Sequence, residues 1–128
     1  MKINNVEFEF NESLSDSGYN TIIVGDGGTA RSGILGTAIS HASGKSITGD
    51  YGFSLAMSGG IAETGEDGRA IVGCGGRAKA GFNGSIHIYY YDGKTCRMAN
   101  GYVGENGIKA NTFYHVQNGK LVECESDE

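Results

Sequence analysis

Proline and tryptophan are absent from this chain of 128 residues, and cations are scarce: 10 Lys and Arg stand against 15 Asp and Glu, for a net charge of −5. Sequence-independent binding to nucleic acid needs a basic surface, so no direct nucleic-acid partner is expected. Only three cysteines occur, Cys74, Cys96 and Cys124, in unrelated contexts and without a CxxC pair. An odd, scattered set argues against a disulfide framework and for a reducing compartment. No apolar run is long enough to cross a bilayer, and Met1-Lys2-Ile3-Asn4-Asn5 leads into no apolar signal core. The expected location is therefore cytoplasmic, with no membrane partner.

What the chain has in abundance is glycine, 23 residues, about 18% against a usual value of about 7%. These glycines are periodic. Gly28, Gly36, Gly44, Gly52, Gly60, Gly68, Gly76 and Gly84 recur every eight residues without a slip. Three residues before each lies a second, mostly glycine column: Gly25, Gly33, His41, Gly49, Met57, Gly65, Gly73 and Gly81. Two residues after come Ala30, Ala38, Ser46, Ser54, Ala62, Ala70, Ala78 and then Ile86. Four residues after come Ser32, Ser40, Thr48, Ala56, Thr64, Val72, Ala80 and Ile88. A fixed internal period is the mark of a repeat architecture. The GxxG segment reads as a turn, with glycine supplying positive φ. The two small columns, two residues apart, share one side of a short strand.

One strand and one turn do not close a coil of parallel strands, but two of each do. The expected fold is all-β: a flattened parallel β-solenoid with two octads per 16-residue coil and Ala, Ser and Thr between its sheets. The residues between the small columns then sort onto two outer faces. One face reads Arg31, Ile47, Glu63 and Lys79; the other reads Ile23, Ile39, Leu55, Ile71 and His87. The second is an apolar ladder, joined by Phe53. Contiguous exposed apolar surface marks an interaction site, so Ile23, Ile39, Phe53, Leu55 and Ile71 form the candidate interface, with a symmetric homodimer as its first expectation.

The ends depart from the repeat. Residues 1–24 read as an N-terminal cap running into the first coil, with Val6–Phe10 a strand and Asn11–Gly18 polar and turn-like. Asn20 stands in the glycine column, and Ile22 and Val24 point inward. The octad solenoid spans 25–88. Residues 89–128 read as an antiparallel meander in the same domain, with turns at Asp92-Gly93, 104–107 and Asn118-Gly119 and an acidic tail. Tyr89, Tyr91, Tyr102, Phe113 and Tyr114 are expected over the open end of the roll, because a solenoid must cover its terminal strands.

Repeats and tail together resemble proteins of phages and prophages that carry tandem S-G-D-Y-S-x-A-type octads. Thr48-Gly49-Asp50-Tyr51-Gly52-Phe53-Ser54 is the nearest unit. The family's closing segment is similar to Val103-Gly104-Glu105-Asn106-Gly107-Ile108-Lys109, followed by Asn111-Thr112-Phe113-Tyr114 and Asn118-Gly119-Lys120-Leu121-Val122-Glu123. The likeness covers residues 30–125. It implies a phage-encoded protein working in host cytoplasm and brings no catalytic residues with it.

Local motifs add no chemistry. Ser43-Gly44-Lys45-Ser46 ends like a P-loop, but Ile39 stands where that motif needs its first glycine. Calcium-binding rolls need an acid recurring in successive turns, where this chain has Ile34, Leu35, Cys74 and Phe82. His41, His87 and His115 share no ligand spacing, so neither metal nor cofactor is expected. The reading is a non-enzymatic protein-binding module. The resemblance points to an inhibitor of a bacterial defence system, of the anti-CRISPR kind, that occludes a host protein or nucleoprotein complex. The alternative is a virion-associated structural spacer.

Overall fold

The computed structural model describes residues 21–124 in full, and the backbone strands at 2–3, 6–9 and 13–15. Four complete coils run from Thr21 to Gly84. Each coil contributes one strand to each of two sheets, with a tight turn at either edge. The first sheet takes β4 (Thr21–Val24), β6 (Thr37–Ser40), β8 (Phe53–Ala56) and β10 (Arg69–Val72); the second takes β5 (Thr29–Arg31), β7 (Lys45–Ile47), β9 (Ile61–Glu63) and β11 (Arg77–Lys79). All neighbours within these sets are parallel, and each pairs with the residue 16 positions on, as Ile23 with Ile39 and Ile39 with Leu55. The expected β-solenoid with two octads per coil is the observed fold.

The N-terminal segment begins coiling earlier than its polar sequence suggests. β1 (Lys2–Ile3) pairs antiparallel with β2 (Val6–Glu9), and β2 lies parallel to β4. β3 (Ser13–Ser15), inside the stretch expected to be a turn, pairs in parallel with β5 and aligns Leu14 with Ala30. Three residues beside a formed sheet gain a template that their own composition does not supply. Asn20 and the acidic tail lie outside the described residues.

The antiparallel closing segment divides between the two sheets. β12 (Ser85–Tyr91) and β13 (Cys96–Tyr102) form a hairpin that ends the first sheet, while β14 (Tyr114–Gln117) and β15 (Lys120–Glu123) end the second. Their core holds Ile86, Ile88 and Tyr114, with Val103, Ile108, Val116 and Leu121 packed against it. The aromatic expectation is corrected here: Tyr89, Tyr91 and Tyr102 are exposed. The register explains this. Tyr89 and Tyr91 alternate with the inward Ile86 and Ile88, and Tyr102 pairs with the outward Ser85 position. Phe113, next to the inward Tyr114, sits on the outer side of the second sheet between Arg77 and Lys79, 5.0 and 4.6 Å from its ring centre.

The sheets lie closer than the roughly 10 Å usual for face-to-face packing. A serine side chain spans the gap. Ser46 Oγ on β7 stands 2.8 Å from the Leu55 carbonyl on β8, and Ser54 Oγ donates to the Glu63 carbonyl at 2.6 Å. Ser40, Ser46, Ser54, Thr48 and Thr64 form a buried belt of hydroxyls, with Thr48 bonded to Thr64 at 2.9 Å. Among the described residues every buried side-chain polar atom has a partner, as burial of polar groups demands. The belt separates a small apolar cluster of Ile22, Val24, Ala30 and Ala38 from the larger one at the C-terminal end.

The glycine column has a different cause from the expected one. None of the eight glycines from Gly28 to Gly84 has positive φ. Their reason is space: at each of the seven from Gly36 onward a Cβ would come within 3.0 Å of a neighbouring atom. At Gly76 it would stand 2.5 Å from the Gly60 carbonyl of the preceding coil and 2.2 Å from Val72 Cγ2. Positive φ falls instead on the residue before each: Gly27, Leu35, Ser43, Tyr51, Gly59, Asp67, Gly75 and Asn83.

Candidate protein-binding surfaces

The outer face of the first sheet gathers the expected ladder. Ile23, Ile39, Leu55 and Ile71 are successive register partners, and the column continues to His87 and Asn100. Phe53 stands in the adjoining column between Thr37 and Arg69. Strand alternation puts these residues outward because their neighbours, such as Ala38, Ser54 and Ala70, are buried. β2 and β13 join this sheet edge to edge rather than lying across it. All five apolar residues remain part-exposed.

The ladder ends in a polar cluster. His87 Nδ1 lies 2.7 Å from Asn100 Oδ1, and its Nε2 lies 2.9 Å from Ser85 Oγ. With the amide oxygen accepting from Nδ1–H, Nε2 accepts the serine hydroxyl. Tyr102 meets the imidazole edge-on at 6.1 Å. The column is thus apolar along four coils and closed by a hydrogen-bonded imidazole.

The second sheet's outer face is charged. Glu63 bridges Lys45 and Lys79 at 3.4 and 3.5 Å. With Phe113 seated between Arg77 and Lys79, much of that face's positive charge already has an internal partner. Near it an open trough of about 700 Å³ runs between glycine turns and the last hairpin, with Arg77, His115 and Glu123 in its lining. Among the described residues no His, Cys, Asp and Glu converge into a set able to hold a metal ion.

In the β12–β13 hairpin turn, Asp92 accepts from the backbone N–H of Lys94 and Thr95 at 2.8 and 2.7 Å. It also binds Arg97. The Arg97 guanidinium first, then those two amides, lower its carboxyl to about 2 from the ordinary 3.8, and the pair raises Arg97 in turn.

The sequence places the solenoid's turns at the GxxG segments, as observed, but sequence reasoning missed how they group. They stack into two edges of opposite character. At the edge after the first sheet the central residues are Asp26-Gly27, Ala42-Ser43, Ser58-Gly59 and Cys74-Gly75. At the other they are Ile34-Leu35, Asp50-Tyr51, Glu66-Asp67 and Phe82-Asn83. The signal was present as bulky residues inside the repeat's variable pairs, but turns are ordinarily polar, and these positions served only to reject calcium.

No family model, curated protein or solved structure matches the chain.

Proposed function

We propose that this protein is a non-enzymatic protein-binding module whose outer first-sheet face packs against a second copy of itself. The observation that carries the reading is the uninterrupted column Ile23–Ile39–Leu55–Ile71, flanked by Phe53, on a face that no described element crosses. Two such faces interdigitate about 10 Å apart, and two-fold pairing is the commonest closed assembly. The resemblance to phage-type octad proteins and the acidic charge support a host-directed role in the cytoplasm: occlusion of a protein surface in a bacterial defence system.

Light scattering on wild type and on an Ile39→Glu/Leu55→Glu variant tests the pairing. The expected result is a dimer that becomes a folded monomer. A wild-type monomer at high micromolar concentration overturns it. Interference assays in bacteria carrying defence systems test the role, with restored phage growth as the expected outcome. Incorporation into virions without any such effect favours a structural spacer instead.

A further inference from the structure

We infer that the turn edge formed by residues 33–36, 49–52, 65–68 and 81–84 is a second docking surface, and that it receives a basic, apolar-tipped protein surface. The inference rests on the binding-module reading above but uses a different part of the molecule. The turns are locked in register by main-chain bonds: Leu35 N–H donates to the Asp50 carbonyl, Tyr51 N–H to Glu66 and Asp67 N–H to Phe82, at 2.9, 2.7 and 3.0 Å. Side chains therefore stack in two columns, Ile34–Asp50–Glu66–Phe82 and Leu35–Tyr51–Asp67–Asn83. With coils about 4.8 Å apart, the ridge extends about 14 Å.

Two observations separate this ridge from ordinary turn surface. Ile34, Leu35, Tyr51 and Phe82 are 56, 60, 60 and 62% exposed, more than any residue of the apolar ladder. Ile34, Leu35 and Tyr51 adjoin on successive turns, with Phe82 two coils beyond Tyr51; such a group, unlike a single exposed residue, marks an interaction site. Leu35 and Tyr51 also hold φ of +63° and +60°, where glycine or asparagine is the favoured choice. The opposite edge places Gly27, Ser43, Gly59 and Gly75 at the same position. The fold thus accepts small residues in this geometry, and one edge alone displays bulky apolar groups from it. Backbone strain retained where the fold does not need it points to function.

Charge selects the occupant. Asp50, Glu66 and Asp67 lie between the apolar ends of the ridge, and its turn pairs contain no cation. Asp50 Oδ1 accepts the Glu66 amide at 2.8 Å, while Glu66 and Asp67 are exposed. A partner with cationic side chains between apolar ones is complementary to this order, and nucleic acid is repelled. On the second sheet of another copy several cations are already engaged, so an unlike partner is favoured over self-pairing. Lys45 and Lys79 are held by Glu63, and Arg77 and Lys79 flank Phe113.

The test uses the full chain and immobilised peptides of alternating arginine and leucine, with glutamate–leucine peptides as control. The expected result is retention of the arginine peptide alone, weakening with salt and falling at least tenfold in Leu35→Asn/Tyr51→Asn. That variant should melt at or above the wild-type temperature, because asparagine suits the left-handed turn. Glu66→Lys should lose binding where Glu105→Lys, an equal charge change elsewhere, does not. Equal binding by wild type and double variant, no preference for arginine over glutamate peptides, or a double variant that melts lower overturns the proposal. So does self-association lost on changing the edge, which makes a second copy the occupant. Ile39→Glu/Leu55→Glu should keep peptide binding whatever its oligomeric state, so failure of the sheet-face dimer and failure of this edge read out separately.

Discussion

The four coils and the closing hairpins solve the same problem, a dry space between two sheets, with opposite materials. In the middle coils the space is narrow because each chain reversal takes only four residues, and Ala, Ser and Thr fill it, with Ile22 and Val24 in the first coil and Val72 in the last the larger exceptions. Their hydroxyls bond across to the facing main chain, so the polar atoms there are satisfied rather than excluded. In the closing segment the hairpins end each sheet separately, and Ile86, Ile88, Val103, Ile108, Tyr114 and Leu121 fill the space between them. Residue volume follows sheet separation, and the turns set that separation.

Removing the closing segment should have the largest effect. Truncation after Asp92 takes away β13, β14 and β15 and uncovers Ile86, Ile88 and the edges of β11 and β12. Unpaired edges recruit other chains, so the fragment should aggregate on expression. A soluble monomer with an intact β spectrum would show that the coils need no cover.

The next contrast compares volume in the two regions. Ala62 and Ala70 are fully buried between the close sheets. Replacing either by Leu should cost about 1–3 kcal/mol or more through overpacking. Val116→Leu adds one methylene at a part-exposed position of the closing core, against three carbons in Ala→Leu, and should cost no more than about 1 kcal/mol, the lower end of that range. Urea midpoints compare them directly, and equal losses, from one added carbon against three, would mean that the closing core is the tighter of the two.

The smallest effect concerns the closing segment alone. Asp92 has its pKa lowered, so its contribution is present above the ordinary 3.8 and is lost as pH falls from there through about 2. Because Asp92 is exposed, water and salt screen the effect. Amide signals of Lys94 and Thr95 should shift over that range and stay flat in Asp92→Asn, while those of the coils should not follow. Coil amides moving in step would tie the turn to the whole fold.

The coil length and the two outer faces were legible in the sequence because both follow from spacing. Ile23, Ile39, Leu55 and Ile71 lie 16 residues apart whatever the side chains do. The cause of the glycine column was not legible, because a Cβ at Gly76 meets the Gly60 carbonyl only once the coils are stacked. Nor was β3, whose Ser13–Ser15 has little strand tendency and forms against β5. The tyrosines were misplaced because the need to cover the roll's open end was assigned to the aromatics, whereas alternation on β12 gives the inward positions to isoleucine. The edge ridge escaped because it depends on which turns share a side, and that follows from the coil rather than from any one turn.

The 16-residue register also constrains how such a gene can change in length. An insertion or deletion of one residue moves a turn into a strand and breaks the glycine column. Loss of a single octad keeps every turn intact yet transposes the faces: each strand beyond the break passes to the opposite sheet, and aliphatic positions continue into charged ones. Only whole coils can be gained or lost with the ladder, the charged face and both edges left continuous. The molecule is therefore extensible in steps of one coil, each step lengthening both surfaces together.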